Sequence, residues 1–409
     1  MARICVITEW IFPMDARISR EVRALVQQGH EVDVVCTRWA REPHIEHDGQ
    51  VSVYRLPIAR RRGGALRYVF EFVTFQLAAT LLVGLLHLRR RYDVVEAASL
   101  PDWLVFAAIL PRLLGARVVL DLHECMPEYG AAKYGVPLTH PIVRVLAALE
   151  QASIRFADFV ITCTEQMREK FVERGASPDK IAVVLNSFDE EKFDPMRYAA
   201  PKHKSDDFVL ISHGTIEENY GLDIVVRAVS LLRERIPGLR LEIYGEGTHR
   251  PTVEALVKDL HLEDRVWFSP GFLPLAELLP RIAAADAGVV AVRRSAYRDV
   301  TLCTKMYDLV SMRRPVIISR TPAVEAYFGD GCFQMFESGN EHDLARAIHH
   351  VYIDPELRER LVQRASEVNE RYRWVHERQR YVRIIEGLVS GGPFAVGRTP
   401  LLAEGADHR

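Results

Sequence analysis

Residues 297–319 read YRDVTLCTKMYDLVSMRRPVIIS, and this stretch decides the fold. Met306, Leu309 and Val310 recur at helical spacing from a start near Thr304 and Lys305, and Pro315 delivers the chain into the apolar strand PVIIS. Loop, helix and buried strand in that order make one unit of an α/β sheet. Two polar side chains interrupt the pattern: Lys305 in the first turn, and Asp308 three residues on, one turn later on the same face. A cation and a carboxylate so placed can hold two parts of one ligand, such as a phosphate and a sugar diol. The helix N-terminus adds free N–H donors that suit an anion. The same pair also reads as a surface ion pair on an ordinary amphipathic helix, so its meaning depends on the rest of the chain.

Outward from this stretch the pattern repeats. On the N-terminal side of it, strands read at 208–214, 239–245, 265–271 and 287–292, with helices at 221–234, 251–260 and 275–284. On the C-terminal side come a short helix near Val324, a strand at 332–337, helices at 342–352 and 355–372, and a last helix at 374–388 before a Gly/Pro tail. The first half alternates in the same way: strands at 4–8, 31–37, 51–56, 93–99, 117–124, 159–164 and 181–187, and helices at 16–28, 66–91, 102–114, 140–156 and 165–174. Near-continuous Val/Ile/Leu strands separated by helices imply parallel sheets covered on both faces. With 409 residues the chain exceeds one core. The reading is therefore an N-terminal Rossmann-like domain over 1–187, a charged, proline-containing linker over 188–207, a second Rossmann-like domain over 208–372, a C-terminal helix over 373–390 and a flexible tail over 391–409. Two doubly wound domains place a ligand cleft at the carboxyl ends of their strands.

Composition narrows the function. The chain is 48% hydrophobic and 26% charged, as in soluble globular proteins, and its net charge of -2 argues against nucleic acid as a partner. Six scattered cysteines with no CxxC pair read as free thiols in a reducing compartment, and MARICVITEW enters a strand with no signal pattern, so a cytoplasmic location is expected. One segment complicates this. LRYVFEFVTFQLAATLLVGLLHL, residues 66–88, is strongly apolar and flanked by Arg60, Arg61 and Arg62 before it and Arg89, Arg90 and Arg91 after it. Glu71, Gln76 and its place between two strands argue against a membrane span. Two readings stay open: a buried crossover helix, or a helix lying on the inner membrane face, anchored through residues 60–91.

The segments SHGTIEENYGLDIVVRAV, LEIYGEG, VWFSPGFLPLAELLPRIAAADAGVVAV and TKMYDLVSMRRPVII in the second half are specific when taken together with DLHECMPE, ADFVITCTEQMREKF and KIAVVLNSFDEEKFDP in the first. The chain resembles a GT-B fold glycosyltransferase of family 4, the glycosyl transferases group 1, and its TKxxD arrangement is similar to a branch found in surface-polysaccharide assembly. The resemblance covers nearly the whole length. It implies two Rossmann-like domains facing across a cleft, with the C-terminal helix crossing back to the first domain. It implies a retaining transferase that moves a sugar from a nucleotide-diphosphate sugar to a carbohydrate or lipid-linked acceptor. By the same resemblance, Gly214 and Thr215 bring backbone N–H groups to the donor diphosphate, Gly271 and Phe272 meet the nucleobase, Asp308 binds the ribose hydroxyls, and Thr304 and Lys305 lie at the phosphates. His123 matches the family histidine near acceptor and donor sugar, so His123 and Lys305 are the catalytic candidates.

This chain also departs from the family. Thr215 and Tyr220 stand where Arg and Lys are usual, and the family's first carboxylate falls on Val300, with Asp299 beside it. The anion-binding role then passes to Lys305 with Arg293 or Arg294, or the protein binds without catalysing. No Asp-x-Asp pair occurs, so no metal cofactor is expected. In the first domain, Asp15, Arg17, His123 and Glu124 are the acceptor-binding candidates, although Asp15 is also a normal N-cap residue and His123 reads equally as a structural histidine. GEGTHR lacks the third glycine of a dinucleotide fingerprint. A nucleotide-sugar epimerase on the same fold is the alternative enzyme, and it needs acid and base groups that the sequence does not place.

Overall fold

The computed structural model describes residues 1–39, 42–58, 65–188, 190, 192–198, 207–391 and 401. Arg60, Arg61 and Arg62, much of the linker and most of the tail lie outside them. The chain divides into two compact units, one holding residues 1–186 with the helix that follows 375, the other holding 187–374.

The first unit is built on β1 (Arg3–Thr8), α1 (Ala16–Gln27), β2 (Glu31–Thr37), β3 (Ile45–Asp48), β4 (Val51–Leu56), α2 (Ala65–Arg90), β5 (Val94–Ala98), a 3-10 turn at Asp102–Ala108 running into α3 (Ile109–Leu113), β6 (Arg117–Leu122), α4 (Met126–Tyr134), α5 (Pro141–Phe156), β7 (Phe159–Thr162), α6 (Glu165–Glu173) and β8 (Ile181–Val183). Its sheet has the order β3-β4-β2-β1-β5-β6-β7-β8. Every pairing is parallel except β3 with β4. The central strands are buried on both faces, which is why they read as unbroken apolar runs.

Two elements of this unit were not expected. Strand β3 is polar and exposed throughout and carries no apolar alternation; it forms a hairpin with β4 about Asp48 and Gly49, a turn pair that was overlooked. Helix α4 lies in the loop after β6, where Glu128, Gly130 and Lys133 among small apolar residues give no clear period. Helix α2 answers to neither of its two sequence readings alone. Phe75, Ala79 and Val83 are buried, whereas Phe70, Leu77, Leu81, Leu85 and Leu88 are exposed. By length and composition, residues Phe70–Arg90 form a stretch apolar enough to cross a membrane.

The second unit runs β9 (Phe208–His213), α7 (Leu222–Leu231), β10 (Leu239–Tyr244), α8 (Arg250–Asp259), β11 (Val266–Phe268), α9 (Leu275–Ala284), β12 (Ala287–Val290), α10 (Thr304–Ser311), β13 (Val316–Ser319), α11 (Pro322–Phe328), β14 (Gln334–Phe336), α12 (Glu341–Ile353) and α13 (Pro355–Asn369). Its wholly parallel sheet has the order β11-β10-β9-β12-β13-β14. The last helix, α14 (Trp374–Ser390), belongs to the first unit, where Tyr381 donates to Glu96 on β5 at 2.6 Å and Glu377 accepts from the Leu185 amide at 2.8 Å.

Helix α10 buries Met306, Leu309 and Val310, the face the sequence gave it. It rests directly on β12 because Gly288 has no side chain: a Cβ there would run into the Leu309 side chain. Gly288→Val should therefore cost about 1–3 kcal/mol of stability through overpacking, and pairing it with Leu309→Ala should return part of that. Denaturant midpoints of the two variants check this.

Candidate functional site

In the second unit the site is built at the carboxyl end of β9. Gly214 leaves the strand with φ +97°, and a Cβ on it would collide with Cε of Lys305 from α10. The Lys305 Nζ donates to the Thr215 carbonyl at 3.3 Å and lies 3.2 Å from the centroid of the Tyr220 ring. With Lys305 folded down in this way, the pocket lined by His213, Gly214, Tyr220 and Ala291 has room for about one water. Burial pushes the Lys305 ammonium down to about 8, and neighbouring Arg298 acts in the same direction. Asp308, one turn along α10, accepts from Nε2 of buried His213 at 2.9 Å. The site's two α10 residues are thus each fixed to the loop or strand end of β9.

The remaining donor candidates fall as follows. Thr304 is the exposed first residue of α10, and the N-cap residue Cys303 makes no side-chain cap bond. In the turn after β11, buried Ser269 donates to the Gly271 carbonyl at 2.6 Å and accepts from the Gly245 amide at 3.1 Å, and Phe272 is 62% exposed. The expected substitute cations need correcting. Arg293 is spent on Asp223 and the Glu218 carbonyl, and Arg294 holds Asp299 with two bonds of 2.9 and 2.7 Å. Arg298 was not anticipated. It is buried, its guanidinium carbon lies 4.6 Å from the Tyr220 centroid, and Val300 beside it is buried as well.

In the first unit, His123 follows β6 and its Nε2 lies 2.6 Å from Asp121 Oδ2, while its amide donates to Ser99 Oγ at 3.0 Å. Arg17 is not available to an acceptor. It is buried, with Nε and one terminal nitrogen on Asp121 at 3.0 and 2.7 Å and the other on the Val184 carbonyl at 3.1 Å. Asp15 caps α1, accepting from the amides of Arg17 and Ile18. Glu124 is half-buried in the loop after His123.

Around Arg17 the carboxylates of Glu21, Glu96 and Asp121 gather, each with an oxygen within 4.8 Å of the others. This grouping has the donor set of a cation site, but Arg17 already supplies the positive charge, bonded to both Asp121 and Glu21. Burial alone would push Asp121 up; Arg17 and His123 overcome it and hold the acid down to about 2. Burial and the Asp121 charge instead push Glu96 up to about 7. Asp121, Glu96 and His213 escaped the sequence reading, although an acidic residue inside an apolar strand run signals a buried, paired group. For Glu96 the sign is clear: its folded-state pKa is raised, so its contribution is complete below the unfolded value of 4.5 and is lost as pH rises to about 7. Glu96→Gln should remove on the order of 3 kcal/mol of the fall in stability between pH 5 and pH 8, read from unfolding midpoints of variant and parent at both values.

Comparison with known proteins agrees with this architecture. The family model described as "Glycosyl transferase 4-like domain" matches residues 14–187, and that described as "Glycosyl transferases group 1" matches residues 198–368. The chain is 24% identical over 371 residues to a D-inositol 3-phosphate glycosyltransferase of Thermobifida fusca, covering 85% of this chain and 82% of that one. It is 23% identical over 394 residues to the chitobiosyldiphosphodolichol beta-mannosyltransferase of Candida glabrata, covering 88% and 84%. Among solved structures, sucrose-phosphate synthase from Thermosynechococcus elongatus superposes with a TM-score of 0.75 at 18% identity over 96% of this chain and 100% of that one. HepE of Anabaena in complex with UDP superposes with a TM-score of 0.68 at 14% identity over 95% and 100%. The fold is GT-B, that of nucleotide-sugar-dependent glycosyltransferases. This chain belongs to the glycosyl transferases group 1 family.

Proposed function

We propose that this protein is a retaining, metal-independent hexosyltransferase that moves a sugar from a nucleoside-diphosphate sugar to a carbohydrate or lipid-linked acceptor, in the synthesis of a cell-surface polysaccharide or glycolipid. The observation that carries this reading is the placement of Lys305 and Asp308 of α10 against the Gly214 turn, a cation and a histidine-braced carboxylate over exposed backbone. Asp308 takes the ribose hydroxyls, and Lys305 with the turn's N–H groups takes the diphosphate. The chemical demand is to stabilise charge developing on the leaving β-phosphate, which fixed donors and a cation meet. His123, held by Asp121, faces the sugar and acceptor hydroxyl. The absence of any Asp-x-Asp pair favours charge stabilisation by side chains and amides. The Candida glabrata relative bears a name that specifies a diphosphodolichol-linked acceptor, which supports an acceptor of lipid-linked type.

The donor half of this reading is tested by thermal shift with nucleoside diphosphates and their sugars, with and without EDTA. At a hundredfold excess over Kd, one diphosphate should stabilise the protein by about 2.7 kcal/mol, a shift of a few degrees, and EDTA should not change it. Lys305→Ala with Asp308→Ala should abolish the shift. A panel without any response, or a response that EDTA removes, overturns the corresponding part.

The acceptor half implies work at the inner face of a membrane, and α2 supplies the surface for it. Its outer side exposes Phe70, Leu77, Leu81, Leu85 and Leu88, and Leu113 of neighbouring α3 is 78% exposed. Among the described residues, the carboxylates on α2, α3, α4 and α5 are Glu71, Glu128 and Glu150, all buried and bound to Arg67 or Arg174, while Arg89, Arg144 and Arg155 are exposed. Apolar and basic groups without exposed acid suit an anionic lipid surface. The protein should sediment with vesicles containing phosphatidylglycerol and not with pure phosphatidylcholine, and Leu77→Asp with Leu81→Asp should release it. Indifference to anionic vesicles, or a parent dimer that the double variant converts to monomer, counts against a lipid partner.

A further inference from the structure

The donor site holds two positive charges that nothing in the described structure neutralises. Arg298 is 7% exposed, and its guanidinium carbon lies 4.6 Å from the Tyr220 ring centroid and 4.9 Å from that of Tyr297. Its Nε finds no acceptor. Lys305 approaches the same Tyr220 ring at 3.2 Å, and its one hydrogen bond goes to a carbonyl. Among the described residues, no carboxylate forms a salt bridge with either. The other arginines near this end of the sheet behave differently: Arg250 has Glu246 and Glu254, Arg293 has Asp223, Arg294 has Asp299, and Arg320 has Glu325. A buried cation without a counter-ion is costly, and aromatic faces compensate it only in part.

We propose that Arg298, Tyr220 and Lys305 form a cation stack preassembled for the diphosphate of the donor, in which buried Arg298 supplies the positive charge missing from the Thr215–Tyr220 loop. The inference rests on the donor-site reading above and extends it to a residue that reading does not use. Lys305 touches the anion. Arg298 is a positioning residue: it lies against the ring that carries Lys305 and contributes its field through a region from which water is excluded, where charge acts at longer range. The uncapped N-terminus of α10, which begins at Thr304 beside Lys305, points further N–H donors at the same place. Two cations spaced by one ring match a ligand with charge spread over two phosphates. The recognised chemistry is the diphosphate, so inorganic pyrophosphate should bind without a nucleoside.

Titration calorimetry with pyrophosphate, UDP and uridine on the full chain tests this. Arg298→Gln should weaken pyrophosphate and UDP by tenfold or more and leave uridine unchanged, since one charge-assisted interaction is lost. Arg298→Lys, which keeps the charge, should recover most of the affinity. The melting midpoint of unliganded Arg298→Gln should not fall, because an uncompensated buried charge has been removed. A purely structural Arg298 gives the reverse pattern: both variants melt lower, and pyrophosphate affinity is either unchanged or lost alike in Gln and Lys. That pattern overturns the proposal. If the parent binds UDP in an Asp308-dependent way and Arg298→Gln binds it equally well, this inference fails and the donor-site reading survives. If the parent binds neither UDP nor pyrophosphate, both fail together.

Discussion

The second unit's ligand-facing surface depends on how closely α10 lies on β12. Gly288 permits that approach, Leu309 fills the space a side chain would have taken, and the helix is thereby set so that its first turn overhangs the end of β9. Lys305 then reaches the Gly214 turn and Asp308 reaches His213, two contacts that a slightly raised helix would not make. A short helix of eight residues has little stability of its own, so its position is set by packing. The polar residues of the site are therefore held in place by an apolar contact.

The first unit fixes its histidine by a different means. There the charges are compensated among themselves: Arg17 grips Asp121, Asp121 holds His123, and Tyr381 closes the cluster on Glu96. Such a network is rigid once satisfied and costly if broken, which suits a group whose direction matters more than its mobility. In the second unit the opposite holds, since the cations beside Tyr220 have no acidic partner. One unit carries a finished electrostatic structure and the other an unfinished one.

Much of the fold was legible because parallel strands buried on both faces must be apolar along their whole length, and α10 with β13 shows this as plainly as any stretch. Strand β3 was not legible, because it pairs through its backbone and shows only polar side chains. Arg17 read as an exposed residue at a helix start because its partner lies 104 residues away, and nothing local signals that distance. The bond between His213 and Asp308 spans 95 residues and was hidden in the same way. Arg298 escaped for a further reason: its surroundings are aromatic, and cation–π contacts leave no charge pattern in the sequence. The family resemblance named residue types at the donor site, but it could not say which arginines would already be committed to carboxylates.

Folded onto Tyr220 and deprived of water, Lys305 has a pKa of about 8. Near that pH a substantial share of the amine carries no proton. An anion arriving above it favours the charged form, so occupancy and protonation are linked. Filling the site at mildly alkaline pH must draw a hydrogen ion from the buffer. The heat of association will then vary with the ionisation enthalpy of the buffer chosen, and emptying the site will return the hydrogen ion to solution.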